Sequence, residues 1–121
     1  GVPATSSGRI ALPIGADWAD RPRRRIDPEH GRDAVTDWQL VDVHGDCARL
    51  LLTPHTGRTH QLRVHLAAIG HAIVGDPLYP ARGAVPPDDP HAPRLMLHAS
   101  ALRLTHPVTG AALAFDSPAP F

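Results

Sequence analysis

The sequence contains no lysine and very little cysteine, methionine, glutamate or aromatic residue. Its 121 positions include one cysteine, one methionine and one glutamate, and aromatic residues make up 4% of them. Cys47 has no second cysteine with which to form an internal disulfide, and a single thiol is typical of proteins from a reducing compartment. We therefore expect a cytoplasmic location, with Cys47 used for packing.

Long hydrophobic runs are also absent. No window contains the roughly 18 apolar residues that a membrane-spanning helix needs. Positions 1–15 lack the basic region and apolar run of a secretory signal peptide. These absences predict a soluble protein without a membrane partner. The length fits one domain or part of one, covering positions 1–121, and excludes a second full domain.

Charge is balanced over the whole chain but unevenly distributed along it. Twelve arginines offset twelve acidic residues, which gives a formal net charge of zero. Between positions 47 and 83, however, four arginines stand against a single acidic residue, Asp76. Surfaces that bind nucleic acid often carry such a local excess of positive charge, whatever the total. A second basic run, from Arg21 to Arg25, is interpreted either as a solvated loop or as an arm that contacts phosphates.

Fourteen prolines and ten glycines divide the chain into short elements, which favours a sheet-rich fold. The pattern of apolar and polar residues along the chain predicts six strands. They lie at 8–14, 34–43, 47–54, 71–80 (a short strand and a turn), 94–104 and 111–118. Pro13 should confine the first strand to a sheet edge. The run Leu50 to Leu52 predicts a third strand covered on both faces. Polar or proline-rich loops are predicted at 15–33 and 81–93.

One helix is predicted between the third and fourth strands. Thr59 is a suitable N-cap and Gly70 a suitable residue to end the helix. The stripe predicted to face the core consists of three aliphatic residues, Leu62, Leu66 and Ile69. His60 and Val64 are predicted to lie opposite that stripe. Unpaired N–H groups at the helix start, next to arginines, form an arrangement that can bind an anion. A capped amphipathic helix with solvated arginines is the alternative, and composition leaves both open.

Four histidines near this helix raise the question of a metal site. Metal-binding helices place ligands four residues apart, whereas His60 and His65 are five apart and point about 140° away from each other. No cysteine or glutamate lies nearby to complete a site. We therefore predict no metal, keep a histidine-based metallohydrolase as an alternative, and interpret His65 as a half-buried, hydrogen-bonded residue.

Three segments resemble a known family. The stretch "TGRTHQLRVHLAAIGHAIVGDPLY" resembles the signature segment of the RluA-type RNA pseudouridine synthases. "RLMLHASALRLTHPVTGAALAFDSPAP" resembles the C-terminal motif of that family, and "GRDAVTDWQLV" is similar to its Gly-x-x-Ala-x-Thr-x-Trp stretch. The resemblance implies an α+β fold with a mixed, mainly antiparallel sheet and one principal helix, as part of a pseudouridine synthase catalytic domain.

The resemblance also implies an activity and a set of site residues. The activity is isomerisation of uridine to pseudouridine in structured RNA such as ribosomal or transfer RNA, without cofactor or metal and with the target base flipped out of its stack. Position by position, the resemblance assigns an RNA-binding wall of five residues: Arg58, Thr59, His60, Gln61 and Arg63. Arg94 matches the basic residue that pairs with the catalytic aspartate.

Two motifs of the family are not found in this sequence. The His-Arg-Leu-Asp segment with the catalytic aspartate is missing, as is the Lys-x-Tyr-x-Ala segment. Asp76 matches a structural turn residue of the family and is not interpreted as the nucleophile. We therefore expect the C-terminal part of a catalytic domain that is inactive alone and needs the N-terminal half of that domain. A noncatalytic RNA-binding module or remnant is the alternative.

Overall fold

The computed structural model describes residues 1–81 and 94–121. Its elements, in chain order, are β1 (Ser7–Ala11), β2 (Ile14–Ala16), β3 (Arg24–Ile26), β4 (Val35–His44), β5 (Cys47–Pro54), α1 (Gln61–Ala68), β6 (Ala101–Thr105) and β7 (Ala112–Asp116). Every strand pairing in the described part is antiparallel, and one short helix accompanies the sheets. The prediction of a mainly antiparallel fold with one helix is confirmed, while its parallel component is not found among these strands.

The largest sheet has the order β1-β4-β5. Among the described strands β1 pairs with β4 alone, so its position at the edge of this sheet is as predicted from Pro13. β4 and β5, the strands predicted at 34–43 and 47–54, form a hairpin with Gly45 in the left-handed conformation at φ 63° in the connecting turn. A bulge at Val41 shifts the register between Leu40 and Asp42. This hairpin leads the chain directly into the segment before α1.

A second hairpin lies where a loop was predicted. β2 pairs antiparallel with β3, with Ile14 opposite Ile26, so the prediction of a continuous loop at 15–33 is wrong. Ile14 is buried and Ile26 packs against the same cluster, which explains why these residues pair. The strand sequence Arg-Arg-Ile is too short and too polar to give the alternation by which strands are recognised.

The core consists of two small clusters on either side of α1. Ile10, Trp38 and Leu66 form the first, and Ile14, Ala34 and Val64 form the second. Val64 is 5% exposed, so its predicted position opposite the core is wrong. The physical reason is that α1 packs against β3 as well as against β4 and β5, which covers two sides of the helix.

β5 is covered on one face only by the described residues. Leu50 and Leu52 pack against the first cluster, whereas Leu51 between them is 50% exposed. Successive side chains of a strand point to opposite faces, and no described element covers the face that carries Leu51. The prediction of a strand covered on both sides is therefore wrong for this part of the structure.

The C-terminal segment ends in the β6–β7 hairpin. Its turn at 106–110 lies between the last two predicted strands, with Gly110 at φ 72°. The strand predicted at 94–104 begins only at Ala101, and residues 71–80 contain a turn but no strand. The loop predicted at 81–93 lies, except for its first residue, outside the described residues. Within the part of the chain described, no helix has the length and apolar composition to cross a membrane.

Candidate functional site

The loop before α1 is held in place by the side chain of Gln61. This residue is 4% exposed, and its Oε1 accepts hydrogen bonds from the Arg58 amide at 3.0 Å and the Thr56 hydroxyl at 2.7 Å. Its Nε2 donates to the Val35 carbonyl at 3.0 Å and to the Thr36 hydroxyl at 2.9 Å. The amide therefore ties the loop to β4. Gln61 belongs to the predicted wall in sequence, but its side chain points into the protein.

The same chain of hydrogen bonds continues to His65, which is fully buried. Its Nε2 lies 2.9 Å from the Leu12 carbonyl, which can only accept, so this nitrogen carries the proton. Its Nδ1 then accepts from the Thr36 hydroxyl at 2.8 Å. The interpretation of His65 as a hydrogen-bonded structural residue is confirmed, although its burial is complete and not partial.

His60 stands at the N-cap position of α1 in place of the predicted Thr59. It adopts the left-handed conformation with φ 56° and ψ 21°, makes no side-chain cap, and Thr59 is exposed beside it. A non-glycine residue in this region carries strain on the order of 1 kcal/mol, which surrounding contacts must offset. The prediction of a Thr59 cap is wrong, because the helix begins one residue later and the Gln61 N–H, which a Thr59 cap would accept, already donates to the Arg58 carbonyl at 3.0 Å.

The contacts that hold His60 converge on Tyr79. The Nδ1 of His60 lies 2.8 Å from the Tyr79 hydroxyl, and the two rings meet edge to face at 5.6 Å. The hydroxyl accepts the Arg24 backbone N–H at 2.8 Å, which leaves its own proton for Nδ1. Burial and the nearby charge of Arg63 lower the pKa of His60, in agreement with a neutral ring that accepts this bond. The sequence analysis did not identify Tyr79. The one sequence feature that could have drawn attention to it is that it is the sole tyrosine and lies three residues after Asp76.

Arg63 forms a bidentate ion pair with Asp76. The distances are 2.9 Å from Nε to Oδ2 and 2.7 Å from Nη2 to Oδ1, and the carboxylate is fully buried. Oδ1 also accepts the backbone N–H groups of Leu78 and Tyr79, so the interpretation of Asp76 as a turn residue is confirmed. Burial alone would raise the pKa of Asp76, but the hydrogen bonds from Arg63 and the two amides outweigh it and lower the pKa. Most of the charge of Arg63 is therefore compensated inside the protein.

Arg58 differs from Arg63 in having no acidic partner. Its Nε donates to the Asp33 carbonyl at 2.7 Å, and no carboxylate among the described residues lies within 4.0 Å of its guanidinium. Arg58, His60 and Arg63 line one shallow surface depression, and Leu97 from the C-terminal segment lines it too. We call this the helix-start depression. The structure thus brings together most of the predicted wall, while Thr59 lies beside it.

Arg94 lies on the surface and not at the start of a strand as predicted. Its Nε donates to the neighbouring Leu95 carbonyl at 3.3 Å, and its guanidinium carbon is 5.7 Å from the centre of the Phe121 ring. Arg49 approaches the same ring at 5.6 Å and donates to the Phe121 carbonyl. No acidic side chain of the described residues is within 4.0 Å of Arg94.

Three of the four histidines near α1 have separate partners and do not converge. The Nε2 of His55 donates to the Asp37 carboxylate at 2.7 Å, while His60 and His65 contact the groups described above. Hydrogen bonds from Arg9 and then His55 hold the pKa of Asp37 below its ordinary value. Among residues 1–81 and 94–121, no group of three or more histidine, cysteine, aspartate or glutamate side chains is arranged to hold a metal ion.

Comparison with known proteins gives a consistent result. The sequence model for RNA pseudouridylate synthases matches residues 2–68. The dual-specificity RNA pseudouridine synthase RluA of Escherichia coli strain K12 is 43% identical over 122 aligned positions, which include all of this chain and 54% of the relative. RluA of Haemophilus influenzae is 43% identical over 94% of this chain and 51% of its own length. RluA of Pasteurella multocida is 42% identical over the same shares. The chain spans about half the length of the curated relatives it matches.

Proposed function

Because the chain belongs to the RNA pseudouridine synthase family, we propose that it is the C-terminal part of a catalytic domain that isomerises uridine to pseudouridine in structured RNA. One structural observation carries the proposal. The two segments that match the family's motifs meet at the helix-start depression, where Leu97 of the C-terminal motif lies with Arg58 and His60 of the signature segment. Residues far apart in sequence are thus placed around one cationic surface.

Each residue of this surface takes a distinct role in the proposal. Arg58, with no acidic partner, and the exposed Thr59 are the groups that contact the RNA backbone. Gln61 and the Arg63–Asp76 ion pair stabilise the loop and the helix start that carry Arg58 and Thr59. This division follows from hydrogen bonding and charge, because the Gln61 amide is fully hydrogen-bonded inside the protein and the charge of Arg63 is compensated by Asp76.

Arg94 is proposed to face the catalytic aspartate of the intact domain. A permanently charged guanidinium next to a carboxyl group lowers its pKa and keeps it ionised for attack. The exposed position of Arg94, without a described acidic neighbour, supports this role. Since the His-Arg-Leu-Asp segment is missing from the sequence, the chain by itself should have no activity.

The β6–β7 hairpin supports the proposal that another segment completes the domain. Leu102 and Phe115 are cross-strand partners, Leu104 lies two residues along the same face, and all three are exposed. Soluble proteins rarely leave a contiguous apolar face uncovered. Nearly half the length of the relatives lies outside the match, and we propose that this portion of the domain packs on the hairpin.

A noncatalytic RNA-binding module is the second candidate. The observation that favours it is that Arg58 and Arg63, the cationic groups of the helix-start depression, need no catalytic carboxylate to contact a phosphate. The two candidates are distinguished by joining this chain to the upstream half of the Escherichia coli relative and measuring pseudouridine in incubated RNA. Formation of pseudouridine by the joined protein supports the synthase. Tight RNA binding by a folded joined protein that makes no pseudouridine supports the module.

A further inference from the structure

We infer that the β2–β3 hairpin carries a second RNA contact, at which the exposed indole ring of Trp18 stacks on an unpaired nucleobase. The inference rests on the proposed function in taking RNA as the ligand, and it adds a site and a preference that the helix-start depression does not provide. It predicts that the protein distinguishes RNA with unpaired bases from a continuous duplex.

The exposure of Trp18 has no explanation in packing. The residue is 73% exposed, whereas the other tryptophan, Trp38, is 9% exposed and belongs to the core. Burying a large aromatic side chain stabilises a protein by about 1.5–3 kcal/mol. Most of this stabilisation is absent for Trp18, because its side chain stays in solvent. Trp18 also lies in a turn that backbone hydrogen bonds fix, from Asp17 to the Arg23 carbonyl at 3.1 Å and from Arg23 to the Asp20 carbonyl at 3.0 Å. The ring is therefore presented from an ordered hairpin.

One face of the ring is already occupied by an arginine. The guanidinium carbon of Arg21 lies 4.2 Å from the centre of the Trp18 ring, well within the range of a cation–π contact. This contact orients the indole, and the high exposure of Trp18 leaves the opposite face open. No described acidic side chain lies within 4.0 Å of Arg21. An open aromatic face next to an uncompensated cation matches a nucleotide, which has both a flat base and an anionic phosphate.

The hairpin is physically tied to the candidate site. Arg24 donates its backbone N–H to the Tyr79 hydroxyl that also contacts His60, and Arg23 donates from Nε to the Leu78 carbonyl at 3.0 Å. β3 also packs against α1. The β2–β3 hairpin that carries Trp18 and the helix-start depression are thus anchored to the same turn, at 76–79.

Charge and composition favour RNA over a protein partner. Positions 17–25 carry four arginines and two aspartates, of which Asp20 is paired with Arg23 at 2.7 Å. Trp18 has no other large apolar side chain beside it in the turn, since its neighbours are Asp17 and Ala19. A protein interface would surround such an anchor with further apolar contacts. Recognition of unpaired RNA instead uses single aromatic rings and arginine planes, whereas a duplex offers no accessible base face.

The test is a set of RNA-binding titrations with the chain itself. The probes are an RNA hairpin with an unpaired loop and a fully paired duplex of the same length. Trp18→Ala should weaken hairpin binding by roughly 5- to 150-fold, which corresponds to about 1–3 kcal/mol for one base stack. Trp18→Phe should recover part of this loss, because it keeps an aromatic face. Duplex affinity and the salt dependence should stay the same in both variants, since no charge has been removed.

Fluorescence and a matched control distinguish stacking on Trp18 from a nonspecific effect of replacing an exposed apolar side chain. Hairpin RNA should quench the tryptophan emission of the wild-type chain but not that of Trp18→Phe, in which only the buried Trp38 remains. The control is Val108→Ala, which shortens another highly exposed apolar side chain in a turn remote in sequence from the hairpin. It should bind both RNAs as the wild type does.

The possible outcomes separate this inference from the proposed function. Hairpin binding that is unchanged by Trp18→Ala, or lost equally for hairpin and duplex, overturns the stacking site and leaves the proposed function standing. Trp18-dependent hairpin binding in a protein that makes no pseudouridine when joined to the upstream half overturns the synthase and keeps the stacking site. A wild-type chain that binds neither RNA overturns the stacking site, whereas the joined protein still tests the synthase.

Discussion

Arg63 and Asp76 form a bidentate ion pair in which the carboxylate is completely buried. Asp76 also accepts the backbone N–H groups of Leu78 and Tyr79, so the ion pair on α1 fixes the turn that carries Tyr79. Tyr79 in turn holds His60 on one side and the β2–β3 hairpin, through Arg24, on the other. The candidate RNA surface is therefore built around one buried charge that must stay paired.

Breaking this pair should cost stability. Arg63→Ala leaves the Asp76 carboxylate buried with only backbone donors, and loss of one partner of such a pair costs roughly 3 kcal/mol. Urea denaturation of the two proteins measures the difference. The matched control is Arg9→Ala, which removes an arginine that pairs with Asp37 at the exposed sheet surface and should change the unfolding free energy much less. Equal effects of the two substitutions would contradict the structural role of the Arg63 ion pair.

The same carboxylate should set part of the acid sensitivity. The pKa of Asp76 is lower in the folded protein than the unfolded value of about 3.9, so the folded state favours its ionised form. This contribution to stability is fully present above the unfolded pKa and is lost as the pH falls through the folded pKa. In Arg63→Ala the folded pKa of Asp76 rises, and the acid unfolding midpoint should move to higher pH. Circular dichroism recorded against pH measures the midpoint, and an unchanged value in the variant would argue against this linkage.

Salt dependence should distinguish the two arginines of the helix-start depression. Arg58 has no acidic partner among the described residues, so Arg58→Ala should weaken binding of all RNA sequences and reduce the log-log salt slope by about 0.7–0.9. Arg63→Ala should reduce the slope less, because Asp76 already compensates its charge. Binding titrations at several salt concentrations give both slopes. A larger change for Arg63 than for Arg58 would reverse the roles proposed here.

The apolar face of the β6–β7 hairpin should make the isolated chain associate. Leu102, Leu104 and Phe115 are exposed on this face, and an uncovered apolar patch promotes self-association. Phe115→Ser should lower the associated fraction in sedimentation velocity experiments, whereas Val108→Ser, in the turn, should not. A wild-type chain that stays monomeric at high concentration would contradict the proposal that this face is covered in the intact domain.

Local signals explain which parts of the fold could be predicted from sequence. Gly45 and Gly110 mark turns at left-handed positions that few other residues adopt. The strands predicted at 34–43, 47–54 and 111–118 match β4, β5 and β7 to within two residues at each end, whereas β6 begins seven residues later than predicted. Gly70, at φ 83°, ends α1 as predicted. The β2–β3 hairpin and the burial of Val64 could not be predicted, because both depend on α1 packing against a second element. Neither the hairpin nor the burial of Val64 corresponds to a periodic pattern of apolar residues in the sequence.

The candidate site was predictable to a different degree for each residue. Resemblance to the family located the segment with Arg58 and Arg63, and the chain does belong to that family. The resemblance did not indicate that Gln61 points inward or that Tyr79 joins the β2–β3 hairpin to the start of α1. Both depend on hydrogen bonds between residues far apart in sequence, which only the tertiary structure brings together. For Arg94 the strand assignment was wrong, and its catalytic role remains a prediction.

Pseudouridine formation by this chain joined to the upstream half of the Escherichia coli relative tests the central claim most directly. The chain alone should make none, the joined protein should convert uridine in ribosomal or transfer RNA, and Arg94→Ala in the joined protein should abolish turnover while RNA binding persists. In the chain alone, the same substitution should barely change the unfolding free energy, because Arg94 has no described acidic partner. Full activity of the Arg94→Ala joined protein, or pseudouridine made by the chain alone, would contradict the claim.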